Sequence, residues 1–152
     1  VSEMIAWSKH YPWCDLGDLK KDVTWMRATL DGGWTFDMDR HLNSVLSNDQ
    51  KVLFINGNTE GPRVQGGQEE SFDLRLEKQK DGSFLCVTGR WRRYWGKYVE
   101  GTCKVALTKM APADGPGFDE GTFEVLFTGA EMADGMKRNM TLTKGEFRVR
   151  RQ

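Results

Sequence analysis

The sequence predicts an all-β chain, an antiparallel meander of eight to ten strands closed or partly open as a barrel, with one or two short helices in its N-terminal third. Three observations carry this. From residue 71 onward apolar side chains recur at every second position, the period of a strand with one face on a core and the other in water. Glycines with a charged neighbour punctuate the runs, at Asp81-Gly82, Glu100-Gly101, Glu120-Gly121, Asp134-Gly135 and Lys144-Gly145, and read as tight hairpin turns. No crossover helix separates the runs, so consecutive strands pair as hairpins, and closing the sheet removes its exposed edges.

A length of 152 residues fits one domain, 1–152, that buries a core without metal or disulfide staples; residues 1–22 read as an N-terminal extension packing on it. Ser2 to Lys9 is expected to form a short helix. Val23 to Leu30 runs into Asp31-Gly32-Gly33, after which Trp34, Phe36 and Met38 alternate with Thr35, Asp37 and Asp39. A hairpin fits best. Its rival is an amphipathic helix over 15–30, capped by Asp15, with Leu16, Leu19, Val23, Met26 and Leu30 on one stripe. A second short helix is expected over Arg40 to Ser47 behind Asp39 as cap. Lys51 to Ile55 resumes as strand, and a long polar loop follows from Asn56 through Glu70.

Phe72, Leu74 and Leu76 then share one face, opposite Asp73, Arg75 and Glu77. The same split groups Cys103, Val105 and Leu107; Phe123, Val125 and Phe127; and Phe147 and Val149. Strand-opening phrases at Gly82, Gly101, Gly121 and Gly145 are spaced by 19, 20 and 24 residues, a strand-turn-strand-turn rhythm. Ala111 to Glu120, with two prolines, reads as the second long loop.

Twenty-two Lys plus Arg balance twenty-two Asp plus Glu, so no global field draws the chain to nucleic acid, which is disfavoured as a partner. No stretch approaches the roughly 20 apolar residues of a spanning helix, so no membrane span is expected. Val1-Ser2-Glu3-Met4 has neither a basic nor an apolar leader region, which leaves the compartment open. Cys14, Cys86 and Cys103 lack metal or redox spacing; free buried thiols are favoured, with a Cys86–Cys103 bridge as the alternative. Asn139-Met140-Thr141 matches a glycosylation acceptor, of consequence in a secreted chain.

Catalytic signals are sparse. His10 and His41 sit in no metal-binding spacing, and nucleophile-elbow, phosphate-loop and dinucleotide patterns are absent. Asp37, Asp39 and His41 would share a face if their strand continued, as a cation site or an acid/base pair for an isomerase or lyase working in the lumen. Polar alternation on a solvated strand face is the stronger reading. No metal, no cofactor and no catalytic residue is assigned, and the chain reads as non-enzymatic.

Two binding candidates remain. Arg90-Trp91-Arg92-Arg93-Tyr94-Trp95-Gly96-Lys97-Tyr98 holds four cations and four large aromatics in nine residues. Strand alternation puts Trp91, Arg93 and Trp95 on one face and Arg90, Arg92 and Tyr94 on the other. Cations over rings stabilise such a hairpin by themselves; as an interaction surface for a protein or carbohydrate it would use Arg90, Trp91, Arg93, Trp95 and Tyr98. The other candidate is the interior. Trp34, Phe36, Met38, Phe72, Phe84, Phe123, Phe127 and Met140, with Leu74 and Phe147, are expected inward, where they either fill the lumen or line an apolar ligand pocket.

The arrangement resembles the lipocalin and fatty-acid-binding group in topology and in Gly32-Gly33-Trp34, which matches that group's Gly-x-Trp on the first strand; Arg148, Arg150 or Arg151 would supply its nearby basic residue. The chain departs from the group in placing more than 30 residues before the triplet and in lacking a clear helix before the last strand. The resemblance implies a calycin-like barrel for a small hydrophobic ligand. The resulting expectation is a non-enzymatic binding protein with such a ligand, the alternative partner being a protein or carbohydrate on residues 90–98.

Overall fold

The computed structural model describes residues 23–59, 70–93, 98–132 and 134–152. Nine strands form one sheet, with no helix among the described residues. They are β1 (Trp25–Leu30), β2 (Trp34–Met38), β3 (Arg40–Leu46), β4 (Val52–Thr59), β5 (Glu70–Lys78), β6 (Phe84–Arg92), β7 (Tyr98–Lys109), β8 (Phe118–Glu131) and β9 (Lys137–Arg151). Strands β3 to β9 pair in sequence order, and β9 returns to β3, giving a ring of seven strands. The hairpin β1–β2 lies outside this ring and pairs with β9 through β1.

Three expectations need correction. The helix expected over Arg40 to Ser47 is strand β3, antiparallel to β4 and parallel to β9 at Asn43↔Arg150 and Ser44↔Arg151. Its alternation was masked by Ser44, a polar residue buried because its hydroxyl bonds the carboxylate of Asp119. The helix expected over Ser2 to Lys9, like the extension 1–22 and most of the polar loop, lies outside the described residues; the hairpin reading of 23–38 holds, with Leu30↔Trp34 nearest its turn. Three of the five presumed turn glycines, Gly101, Gly121 and Gly145, lie within strands, where backbone and rings approach too closely for a Cβ.

The third correction concerns the cysteines, for which free thiols were favoured. Cys86 and Cys103 are bridged, with Cα atoms 5.7 Å apart. The β6–β7 ladder runs from Gly89↔Gly101 to Arg92↔Tyr98. The disulfide therefore ties the two strands beyond the end of their ladder, at a point where no backbone pairing joins them.

The interior is occupied by side chains. Phe36 meets Phe72 and Trp91 edge-on, with centroids 5.1 and 5.2 Å apart, and Phe72–Phe123, Trp91–Phe127 and Phe123–Phe147 continue the chain of rings. Met26, Met38 and Met140 are fully buried beside them. Each such side chain contributes about 1.5–3 kcal/mol on burial.

The ring is locked where β3 meets β9. Asp119 is fully buried and accepts from Arg151 Nε and Nη2, each at 2.8 Å, from the Ser44 hydroxyl and from the Ala111 N–H at 2.9 Å. A carboxylate with this many donors is adequately compensated for burial. It joins β3, β8, β9 and the segment leading into β8. The described residues contain no helix long and apolar enough to cross a membrane.

Candidate functional site

The hairpin β1–β2 carries its apolar face over one end of the ring. Phe36 and Met38 are buried there, and Leu30 packs against them. Trp34 keeps the inward parity of Phe36 and Met38, yet 71% of its surface is exposed. The inward placement expected for it is corrected: it pairs with Leu30 at the hairpin tip, beyond the reach of the core. Phe84 is only half-buried, since it lies at the start of β6, away from the β6–β7 ladder.

These residues border a cleft of about 670 Å³ lined by Leu30, Trp34, Phe36, Met38, Trp91 and Arg93, with Asp37, Glu70 and Arg138 among the polar groups at its rim. Trp91 is 4% exposed, and its indole Nε1–H has no hydrogen-bond partner among the described residues. Arg93 lies over the Trp91 ring, its guanidinium carbon 4.4 Å from the centroid, and its Nη1 donates to Met140 Sδ at 3.0 Å. Thioether sulfur is a weak acceptor, so the ring face carries much of the contact. Burial raises the Asp37 carboxyl above its ordinary value, and Asp39 adds to the shift while Arg27 opposes it.

The basic aromatic stretch is divided by its alternation. Trp91 and Arg93 point into the ring, whereas Arg90 and Tyr98 are exposed. Arg90 and Arg92 stack on Tyr98 at 4.7 and 5.8 Å, and Arg90 pairs with Asp73 at 3.3 Å. Trp95 lies outside the described residues. Of the interior set, Phe36 and Met38 reach the cleft; Phe72, Phe123, Phe127 and Met140 lie in the packed interior.

Asp37, Asp39 and His41 do not share one strand face. The chain leaves β2 at Asp39, whose N–H donates to Asn58 O at 3.0 Å, and His41 adopts a φ of 51°. No group of three metal-ligating side chains occurs among the described residues. The partner of the basic residue also differs from expectation: Arg148 lies 5.8 Å from the Trp25 ring and 3.8 Å from Phe118, pairs with Glu120, and donates to Val23 O.

Sequence reading missed Leu30, Glu70 and Arg138 and assigned Trp91 to the outer surface. A register shift opposite Arg75 and Leu76 explains Trp91: it resets the alternation of β6, so Cys86 and then Gly89 and Trp91 face inward. Leu30 was legible from its parity with Met26. Comparison with protein-family models, curated proteins and solved structures finds no match.

Proposed function

We propose that the chain is a non-enzymatic binding protein that holds a small hydrophobic ligand at the mouth of its strand ring. The observation that carries this reading is the cleft itself: an aromatic floor of Phe36 and Trp91 faces a rim tryptophan, Trp34, left largely in water. Its volume of about 670 Å³ lies in the range of small-molecule sites. Exposed tryptophan costs solvation that a bound apolar ligand recovers. The packed interior favours the mouth over the lumen as the binding place.

Titration of the full chain with the neutral fluorescent probe N-phenyl-1-naphthylamine tests the reading. Saturable, one-to-one enhancement is expected, weakened at least about fivefold in Trp34→Ala through loss of roughly 1 kcal/mol or more of apolar contact. A flat response to this probe and to a panel of lipids, retinoids and pigments removes it.

A second reading, a protein-contact surface, is favoured by Tyr98, half exposed between Arg90 and Arg92. Aromatic and arginine side chains of this kind dominate protein contacts. Loss of partner capture in Tyr98→Ala with the fold intact supports it, and unchanged capture removes it.

A further inference from the structure

We infer that Asn139 is a modification site, an N-glycan acceptor whose sugar stands on the outer wall of the ring. Asn139-Met140-Thr141 has the acceptor spacing, but such triplets are common by chance, so the fold decides. The triplet lies in β9, where alternation buries Met140 in the interior and turns Asn139 and Thr141 together to the outer face. Acceptor amide and hydroxyl residue thus share one side. Asn139 is exposed, as are Lys137 and Arg138 before it and Thr128 and Gly129 at the register shift of β8 across the ladder.

The amide is also oriented. Gly129 adopts a φ of 65° at that shift, and its N–H donates to Asn139 Oδ1 at 2.9 Å. A backbone N–H pairs with the amide oxygen and not with the NH2 group, so this contact fixes which end of the side chain is held to the sheet. Nδ2, the atom that would carry the sugar, is left without a partner among the described residues. Thr141 is held beside it through its backbone, which donates to Asp31 Oδ1 and accepts from the Asp31 N–H, both at 2.9 Å.

The second requirement is the compartment. A formed Cys86–Cys103 bridge belongs to an oxidising, secretory setting, where asparagine glycosylation also takes place. The co-substrate is a lipid diphosphate-linked oligosaccharide, delivered by a transferase. A bond forms from Nδ2 to the anomeric carbon as that carbon's bond to the phosphate oxygen breaks. The lipid diphosphate leaves with the electron pair, and Nδ2 releases one proton. Leu126 pairs with Thr141 across the ladder and is 43% exposed on the same outer face, so the attached sugar gives this apolar side chain a polar neighbour.

The test is mass spectrometry of the full chain, captured by antibody from the cells that make it and digested with trypsin without reduction. The peptide ending at Lys144 is expected as a glycopeptide that releases N-acetylhexosamine ions, with the Cys86 and Cys103 peptides still joined. Asn139→Gln and Thr141→Ala, expressed in the same cells, should lose the added mass completely, whereas Thr141→Ser should keep it. Bare Asn139 beside joined cysteines overturns the site, and bare Asn139 beside free cysteines overturns the compartment as well. A glycan that survives Asn139→Gln lies elsewhere and also overturns the inference. Should a variant fail to fold, the wild-type peptide decides.

Discussion

Phe123 on β8 and Gly145 on β9 face each other across the ladder, and two residues along each strand the pair is reversed, Gly121 facing Phe147. A Cβ at Gly145 would lie 2.5 Å from the Phe123 carbonyl oxygen and 2.7 Å from its ring; at Gly121 it would lie 2.9 Å from the Phe147 ring and closer still to the Ala106 carbonyl. Each phenylalanine thus occupies space that its opposite glycine leaves open. These glycines are packing elements of the ring wall.

Gly145→Ala and Gly121→Ala should each destabilise the chain by about 1–3 kcal/mol, the cost of overpacking where backbone blocks relief. The midpoint of urea unfolding reads this directly. Gly82→Ala, in a turn at φ 89° with open space around its Cβ position, should cost about 1 kcal/mol through backbone strain alone. Equal, near-zero shifts for the two strand glycines would show that the wall yields there.

The disulfide joins β6 and β7 where their ladder has ended, closing a loop of sequence separation 17. Such a loop corresponds to about 3 kcal/mol of stabilisation in the chain-entropy account. Reduction, or the Cys86→Ser/Cys103→Ser pair, should lower stability by about that amount and speed amide exchange at Phe84 to Thr88 first. Uniform exchange along β6 would separate the disulfide from local order.

Asp119 and Arg151 hold the closure of the ring. Asp119→Asn leaves the guanidinium buried without its counter-charge and should cost about 3–5 kcal/mol, whereas Asp119→Leu with Arg151→Met should cost less than either single change. Guanidinium chloride unfolding of the wild type, Asp119→Asn, Asp119→Leu, Arg151→Met and the double variant measures this. A double variant as unstable as the sum of the two singles would mean that the pair is not one unit.

Two carboxyls should titrate on opposite sides of the ordinary aspartate value. Burial raises Asp73 and outweighs Arg90, whose contacts are 3.3 Å long and whose guanidinium is partly solvated. The folded chain therefore keeps that proton to higher pH than the unfolded one. Its contribution to stability is full below the ordinary value and is lost as pH rises through the raised one. Asp81 is lowered by hydrogen bonds from the Ser83 hydroxyl and N–H, so its contribution is present above the ordinary value and is lost as pH falls through the lowered one. Carboxyl chemical shifts followed by NMR should place Asp73 above 3.8 and Asp81 below it, and Ser83→Ala should move Asp81 back toward 3.8.

Much of the ring was legible. Where one face is buried, as at Phe72, Leu74 and Leu76 or Phe123, Val125 and Phe127, period two is plain, and the hairpin 23–38 follows from its turn residues. Strand β3 was hidden because its central inward residue is a serine satisfied by Asp119, a partner 75 positions away. Trp91 was hidden by register, since a bulge changes parity without changing composition, whereas the Cys86–Cys103 bridge was legible as the alternative to free thiols. At the candidate site Phe36 and Met38 were readable from alternation; Glu70 and Arg138 come to the rim only through the pairing of distant strands.

Strand β9 bonds β8 on one edge and shares its other edge between β1 and β3. A chain made from its N-terminus onward therefore extrudes Met26, Phe36 and Met38 long before the strand that shelters them. Until Leu142 to Arg148 emerge, the first hairpin has no strand edge to join, and its apolar face has only the earlier contacts of Phe36 with Phe72 and Trp91. Holding that face off neighbouring chains during synthesis is a burden this topology places on the cell, and release should come abruptly with the final strand.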